Sequence, residues 1–567
     1  MSIMRHVFAV KICVRSPFIF ADVDASGIGI DTPALRNSDD QAIMPADHFK
    51  GLLREAWCAL NAKVPQPSNE GDLFGSETTK NNAYQPERGK VLFSDMVQNE
   101  DKYSGHLTRI RIDENTGTVM DGMLEVIELT RPLGDAATFV GQIIWHGEVR
   151  AAQELRTSLQ MALRIIPYFG GARSAGFGEH VREKSSIGAP VPETLSKPIA
   201  VSAGKTYQVR AQFDRPIAVN VTQLASNIFE GGTVVPGSAI KGALADMLAA
   251  GGRVMSPTVS AALSAMRISH AFAVAPESGK LLDRALPLSH VVFESDPKFH
   301  SQLGKGDDAG FDATMGVGSF LPDAKGKQWS NFRKQLDRCG SHFPQWALGH
   351  TKISPELGSA EDRKLFVTMA VDTTAHRYQF QIQLPDKAAA ADIEHIMQTL
   401  HAGLDNIGKT AARMVKVEIS SVNPVKPTAA SEIAIMLETP ALFVIPKDGV
   451  YQEDPSMMLA RYFKHFNLDL KDHFCQRRLV GGYPVLRAKG LKSYRPLTLY
   501  SEGSCFELNG EVADIENFSA FANTGLPVLR EDQNDQLNVE TDWKSCLYLP
   551  QNGYGEISVN PDFLVQS

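Results

Sequence analysis

A short motif occurs twice in this chain, and it constrains the fold more than any other feature of the sequence. Residues 45–51 read PADHFKG and residues 236–242 read PGSAIKG, so a proline turn is followed in both copies by Lys-Gly at the same spacing. A predicted strand precedes each copy, at residues 6–14 and 206–213. A repeated unit of this kind indicates that one type of domain is present twice.

The first copy predicts a helix over residues 47–62 that carries two basic side chains. Asp47 is placed to cap the helix, since its carboxylate can accept backbone N–H groups that have no intrahelical partner. Lys50 and Arg54 are four residues apart and project from the same side of the helix. Gly51 lowers helix stability, which is expected where another backbone, such as that of RNA, must come close.

The two motifs resemble the PGSxxKG turn of the RAMP superfamily of CRISPR effector proteins. Further segments follow in the order of that superfamily: LFGS at 73–76, RGKVLFSD at 88–95, the hairpin RIRIDENTGTVMDGMLEVIE at 109–128 and the glycine-rich loop GGARSAGFGE at 170–179. Over the first 190 residues the chain resembles the Cas seven-type backbone subunits of type III effectors. From about residue 200 it resembles the Cas five-type cap subunit of III-D systems, through ALPLSH at 285–290 and NGYGEISVNPDF at 552–563.

The order of predicted elements and the resemblance together predict an α+β fold of tandem ferredoxin-like (RRM-type) RAMP domains, with a hairpin thumb insertion and glycine-rich loops. We expect four parts: a backbone-type domain at 1–190 with its thumb at about 97–135, a Pro- and Ser-containing linker at 191–202, a cap-type RAMP domain at 203–420, and a third ferredoxin-like unit at 421–567 that completes the cap-type part. The sequence leaves open whether the second and third units share one core.

Composition fits a protein of several domains but does not by itself indicate RNA binding. The 567 residues are 43% hydrophobic and 22% charged, with a net charge of −8, so phosphate binding requires a local basic groove. The six cysteines include no CxxC pair, which argues against a zinc finger and a disulfide framework. We find no apolar run of membrane-spanning length and no signal-peptide region at the start, and therefore expect a cytoplasmic protein.

The resemblance implies a catalytic residue in the loop before the first motif. In the backbone family an aspartate there cleaves the target RNA bound opposite the guide, and the segment GIGIDTPALRN at 27–37 places Asp31 fourteen positions before Pro45. Its carboxylate would act as a base toward an RNA 2′-hydroxyl or hold a divalent cation, Mg or Mn. The alternative is a solvated loop aspartate. Because Thr222 stands at the same spacing in the second copy, we predict one cleavage site per chain.

The resemblance also implies a set of RNA-binding residues. They are Arg36, Lys50, Arg54, Arg109, Arg111, Gly170, Gly171, Arg173, Ser174 and Lys241. The glycines would let backbone N–H groups approach phosphates. Solvated helix or hairpin faces are the alternative for the charged residues, because Arg109 and Arg111 alternate with isoleucines as on a strand with one polar face.

These features predict a fused subunit of a type III CRISPR effector that binds CRISPR RNA and cuts complementary single-stranded target RNA once at Asp31. Its expected partners are those two RNAs and other type III effector subunits, with no membrane. A non-catalytic guide-binding scaffold is one alternative. A guide-processing endoribonuclease with a metal-independent histidine site is another, although His48 is expected to be a surface or packing residue. Asp95, Asp113 and Asp121 are expected to be turn and strand-end residues rather than a metal cluster.

Overall fold

The computed structural model of the chain describes most of its length. The described residues are 4–22, 29–37, 39–64, 68–76, 88–113, 115–193, 197–250, 254–293, 296–301, 303, 311–313, 334, 338, 343–353, 360–447, 454–481, 496–543 and 546–565. None of the helices in these ranges combines the length and the apolarity that a membrane crossing requires.

The first unit is an antiparallel sheet that packs against two long helices. Its strands are β1 (Met4–Arg15), β2 (Ile43–Met44), β3 (Val91–Phe93), β4 (Met96–Gln98), β5 (Gly105–Ile112), β6 (Val119–Leu129), β7 (Ala136–Gly147), β8 (Glu179–His180), β9 (Ser186–Ile187) and β10 (Val191–Glu193), and its helices are α1 (Ala46–Asn61), α2 (Glu70–Phe74) and α3 (Val149–Ile165). The central pair is β1 and β7; β3 and β4 flank β7, and β8, β9 and β10 flank β1. This strand order is ferredoxin-like.

Hydrophobic periodicity explains why these segments pack together. Phe8 and Ile12 lie on the same face of β1 because alternate residues of a strand point the same way, and both are fully buried. Leu155, Leu159 and Leu163 recur at helical spacing on α3 and enter the same core. Helix α3 therefore packs on the sheet through these leucines.

The second unit repeats this architecture. Its strands are β11 (Thr206–Phe213), β12 (Thr222–Ala225), β13 (Ile228–Glu230), β14 (Arg267–Ile268), β15 (Phe272–Val274), β16 (His290–Phe293), β17 (Asp296–Ser301), β18 (Phe311–Ala313), β19 (Gln345–Ile353), β20 (Ala360–Val371), β21 (Arg377–Gln383) and β22 (Met414–Val422), and its helices are α4 (Gly237–Leu248), α5 (Pro257–Ala265) and α6 (Ala390–His401). Strand β11 lies between β21 and β22, with β14 and β15 on the far side of β21.

Matching hydrogen bonds show that the two units are structural repeats. The Ser94 hydroxyl donates to the carbonyl of the next residue and accepts the backbone N–H of Gln142 at 2.7 Å. The Ser269 hydroxyl likewise donates to the carbonyl of the next residue and accepts the backbone N–H of Gln381 at 2.8 Å. Ser94 follows β3, which pairs with β7, and Ser269 follows β14, which pairs with β21, so the predicted tandem fold is confirmed.

The third unit is a further ferredoxin-like sheet. Its strands are β23 (Glu432–Leu437), β24 (Val444–Ile445), β25 (Asp469–Val480), β26 (Leu497–Tyr500), β27 (Cys505–Asn509), β28 (Leu529–Glu531), β29 (Leu537–Val539) and β30 (Ile557–Val559), and its helices are α7 (Pro455–Lys464), α8 (Val512–Ser519), α9 (Phe521–Thr524) and α10 (Asp562–Val565). The main sheet has the order β18-β25-β27-β23-β30, so β18 of the second unit joins its edge. Its core, around Phe443 and Phe463, is separate from that of the second unit around Phe213 and Phe380.

The first two units meet at the loop LDNIGKTAARM, residues 404–414, which stands where the second unit would carry its glycine-rich loop. The buried Asp405 carboxylate accepts Arg5 Nε at 3.0 Å and Arg413 Nε at 3.1 Å, and His146 Nε2 lies 2.9 Å from it. Arg88 donates to two carbonyl oxygens of the same loop. In the second unit this loop therefore serves as a docking element for the first unit.

Candidate nucleic-acid interface

Helix α1 begins one residue earlier than predicted, and its cap comes from another part of the chain. Pro45 is the N-cap residue and makes no side-chain capping bond, whereas Asp47 lies inside the first turn. The backbone N–H of Ala46 donates instead to Asp95 Oδ1 at 2.8 Å. The predicted capping role of Asp47 is therefore wrong, because a carboxylate at the end of β3 already occupies that place. The role of Asp95 in capping α1 could not be predicted from the local sequence.

The basic face of α1 is partly committed to contacts within the protein. Arg54 forms an ion pair with Glu70 of α2, and burial lowers the pKa of the half-buried Lys50 ammonium. Gly51 is exposed, and a Cβ at this position would meet no atom within 4 Å. No packing among the described residues therefore requires this glycine, and they leave the space beside it open to an external backbone.

The second copy of the motif differs in its lysine. The Lys241 ammonium donates to the carbonyl oxygens of Met266 at 2.7 Å, Ser264 at 3.0 Å and Gln551 at 3.4 Å. Burial lowers its pKa to about 7. This geometry commits Lys241 to joining the second and third units rather than presenting it to RNA. Gly242, like Gly51, has open space beside it.

The glycine-rich loop at 170–179 lies against the start of α1. Gly170 has φ +91° and its backbone N–H donates to His48 Nε2 at 2.9 Å. Burial and the nearby charge of Arg173 lower the pKa of His48 to about 4, so its ring is neutral at pH 7 and accepts this bond. His48 therefore holds the loop in place, as its expected packing role requires. Gly171 and Ser174 are exposed at the surface of the loop.

The predicted thumb contains a two-stranded hairpin, β5 and β6, that is separate from the main sheet. Its outward face is apolar: Ile110 is 52% exposed and pairs with Leu124, which is 58% exposed. Arg109 instead turns inward, where its guanidinium lies 5.2 Å from the ring centre of Phe177. Arg109 and Ile110 thus lie on opposite faces of the strand, as the expected alternation requires, and RNA binding by Arg109 stays a prediction. The side chain of Arg111 lies outside the described part of the structure.

Asp31 is exposed and lies where its loop meets the hairpin. Asp31 Oδ2 accepts the backbone N–H of Val126 at 2.7 Å, and the N–H groups of Asp31 and Thr32 both donate to the Val126 carbonyl, at 2.9 and 3.1 Å. The Thr32 carbonyl accepts the N–H of Glu128, so a short parallel pairing fixes the loop on β6. No described residue donates a hydrogen bond to Asp31 Oδ1. One carboxylate oxygen of this exposed side chain therefore anchors the loop to the hairpin.

The loop after Asp31 is held by Glu128, which was not among the predicted site residues. Glu128 accepts the backbone N–H of Ala34 at 2.9 Å and the guanidinium of Arg36, whose other nitrogens contact Asp40. Arg36 is therefore engaged in fixing its own loop. The signal for Glu128 was present in the sequence as the last residue of the hairpin segment at 109–128.

The second unit has the same loop-to-hairpin pairing without the aspartate. Strand β13 pairs in parallel with β20, as the Thr32 segment pairs with β6. Thr222 lies on the exposed strand β12, and residues 222–235 contain no aspartate. In the second unit the parallel pairing is therefore made by residues 228–230, and no aspartate lies between Thr222 and Val235.

The described residues contain no group of three or more His, Cys, Asp or Glu side chains that could enclose a metal ion. Asp113, one of the predicted turn residues, accepts the backbone N–H groups of Asn115 and Thr116 in the hairpin turn. Mg²⁺ is often bound by one or two carboxylates together with substrate phosphates. The exposed carboxylate of Asp31 fits that mode of binding.

Comparison with known proteins adds independent findings. A search of curated proteins gives no match. A chain in the cryo-EM structure of the Type III-B Cmr-beta bound to cognate target RNA is 17% identical, with 33% of this chain and 61% of that chain covered and a TM-score of 0.24. A chain in the structure of the Type III-B Cmr-beta bound to cognate target RNA and AMPPnP is 11% identical, with coverages of 53% and 86% and a TM-score of 0.31. This chain thus spans less than two thirds of the first of these neighbours.

The family model of the RAMP superfamily matches residues 11–181. This range contains the first proline turn, the loop with Asp31, the hairpin and the glycine-rich loop, which carried the resemblance in the sequence. Residues 11–181 thus match the RAMP-superfamily model, as the motifs in this part of the chain predicted.

Proposed function

We propose that this chain is an RNA-binding subunit of a type III CRISPR effector ribonucleoprotein and that its first unit cuts target RNA once, beside Asp31. The observation that carries the proposal is the anchored carboxylate: Asp31 is exposed and is fixed to the hairpin through Oδ2, in the segment that matches the RAMP-superfamily model. The proposed partners are CRISPR RNA, complementary target RNA and other effector subunits.

The proposed reaction needs few groups from the protein. The 2′-hydroxyl of a target nucleotide attacks the adjacent phosphorus, the bond from phosphorus to the 5′-oxygen breaks, and that oxygen takes a proton from water. Asp31 accepts the proton that leaves the 2′-hydroxyl. Asp31 would hold Mg or Mn together with an RNA phosphate, and the cation would supply stabilisation of the charge that develops on that phosphate. The main-chain anchor at Val126 keeps the carboxylate oriented.

The hairpin supplies the alignment that this reaction requires. Attack in line with the leaving oxygen requires a nucleotide that is turned out of the guide–target duplex. The outward face of the hairpin offers the exposed apolar pairs Ile110–Leu124 and Ile112–Val119, which suit contact with base faces better than with water. We propose that this face enters the duplex next to Asp31.

Replacement of Gly51 or Gly242 by alanine tests whether an external backbone approaches these helices. Neither site has an atom within 4 Å of the added Cβ, so alanine should stabilise the fold by about 0.5–1 kcal/mol through helix propensity. If RNA approaches there, the same substitutions weaken guide-RNA binding. Thermal denaturation and filter binding measure the two effects, and unchanged RNA affinity in both variants would contradict the approach.

The test of the proposed function is cleavage by the assembled complex. The chain is co-expressed with a CRISPR array and its partner subunits, purified, and given end-labelled complementary RNA with Mg²⁺ or Mn²⁺. One cut site attributable to this chain, a product ending in a cyclic phosphate, and loss of cutting with EDTA are expected. Cutting that persists with EDTA would contradict metal dependence, and several cuts from one unit would contradict the single site.

A scaffold without cleavage is the second candidate, because one observation favours it. The bond from Val126 N–H to Asp31 Oδ2 gives this carboxylate a structural role in closing the loop on the hairpin. Tight RNA binding with no cutting in the assay above would favour the scaffold. The guide-processing alternative gains no support from His48, because its ring is enclosed, neutral at pH 7 and used to hold Gly170.

A further inference from the structure

A side-chain contact lies directly beside the Asp31 anchor. The Thr32 hydroxyl donates to Glu125 Oε1 at 3.1 Å. Thr32 follows Asp31 in the loop, and Glu125 precedes Val126 on β6, so this contact and the Asp31–Val126 bonds fasten the same two segments. Backbone pairing and the side-chain contact together form a closed ring that opposes sliding of the loop along the strand.

The same glutamate connects this ring to the glycine-rich loop. Arg109 Nη1 lies 3.5 Å from Glu125 Oε2, and the Arg109 guanidinium lies over the ring of Phe177. Phe177 is only 8% exposed, so it is a fixed support within the glycine-rich loop. A continuous line of contacts therefore runs from that loop through Arg109 and Glu125 to Thr32, the neighbour of Asp31.

We propose that Thr32 and Glu125 are positioning residues for cleavage by Asp31, an inference that rests on the proposed function. Their contact sets the register of the Asp31 loop on β6, and the carboxylate of Asp31 moves with that loop. A hydroxyl-to-carboxylate bond at a partly exposed site contributes little to global stability, since both groups can bond to water when it is lost. Its effect is on the rate of cleavage, because small displacements of a reacting group slow a reaction strongly.

Two substitutions of Thr32 separate this role from general packing. Thr32→Val keeps the shape and removes the hydroxyl, whereas Thr32→Ser keeps the hydroxyl. In the guide-loaded complex with saturating target RNA and Mg²⁺, Thr32→Val should lower the single-turnover rate by about 10- to 100-fold. Thr32→Ser should restore most of the rate, and the affinity for target RNA should be the same in all three proteins.

Glu125→Ala completes a double-mutant cycle. If the two side chains act through their mutual contact, Glu125→Ala slows cleavage, and combining it with Thr32→Val adds little further loss. A rate for Thr32→Val equal to that of the wild type would overturn the positioning role, as would a Thr32→Ser protein as slow as Thr32→Val. Cutting by the Asp31→Asn complex at the wild-type rate is a different result. It would overturn the proposed function itself.

Discussion

Asp31→Asn is expected to stop target cutting while guide and target RNA remain bound. Asparagine has the same size, and its amide oxygen can still accept the Val126 N–H that anchors the loop. It cannot take a proton from a 2′-hydroxyl, and it is a poor ligand for Mg²⁺. The loss of one acid–base group corresponds to about 10²- to 10⁴-fold in rate. Single-turnover cleavage of labelled target RNA measures this loss, and gel-shift titration measures binding.

Asp101→Asn is the matched control for this experiment. Asp101 is an exposed aspartate between β4 and β5 that takes no part in the hydrogen bonds of the Asp31 anchor, and its substitution changes the net charge by the same amount. Its cleavage rate should equal that of the wild type. Equal cutting by the Asp31→Asn and wild-type complexes would exclude Asp31 as the catalytic residue. A fall in RNA affinity that matches the fall in rate would instead assign Asp31 to binding.

Much of the fold was predictable because its signals are local. The alternation along β1, the helical spacing of leucines on α3 and the repeated proline turn depend only on neighbouring residues. The ferredoxin-like order then follows from few alternatives for strands joined by helices. The break between β3 and β4 could not be predicted from neighbouring residues. At this break the Ser94 hydroxyl accepts the backbone N–H of Gln142 on β7, 48 residues further along the chain.

The site was less predictable because its key contacts join distant segments. Asp95 caps a helix 49 residues before it, and nothing near either residue indicates the pairing. Lys241 occupies the same motif position as Lys50, yet its ammonium donates a hydrogen bond to the carbonyl oxygen of Gln551, 310 residues away. The resemblance to the RAMP superfamily made Asp31 a candidate, but the contact between Thr32 and Glu125 became visible only in the structure, where the loop meets the hairpin.

The second large effect is expected at the joint between the first two units, where Asp405→Asn should destabilise the protein. Arg5 is 4% exposed and Asp405 is 2% exposed, so the substitution removes the buried counter-charge of this guanidinium and leaves it the more distant, 45% exposed Glu193. Breaking a buried ion pair in this way costs about 3–5 kcal/mol. Chemical denaturation followed by intrinsic fluorescence should show this loss. Separation of the first unit from the second should appear in limited proteolysis.

Glu418→Gln is the matched control, because Glu418 pairs with Arg377 on the surface. The two side chains of that pair are 57% and 48% exposed, so its loss should change the free energy of unfolding by about 1 kcal/mol or less. Equal stability of the Asp405→Asn and wild-type proteins would show that the joint does not hold the units together. A large loss of stability in Glu418→Gln would show that the measured free energy of unfolding falls when any charged side chain is removed.

The pH dependence of stability offers a direct check on the same carboxylate. Burial acts to raise the pKa of Asp405, but the His146 hydrogen bond and the charges of Arg5 and Arg413 outweigh it and lower the pKa to about 2. An unfolded aspartate has a pKa of about 3.9. The stabilisation is therefore fully present above pH 4 and is lost as the pH falls toward 2. The difference in unfolding free energy between the wild type and Asp405→Asn should shrink as the pH falls below 4. A difference that stays constant down to pH 2 would show that the carboxylate is not ionised through these contacts.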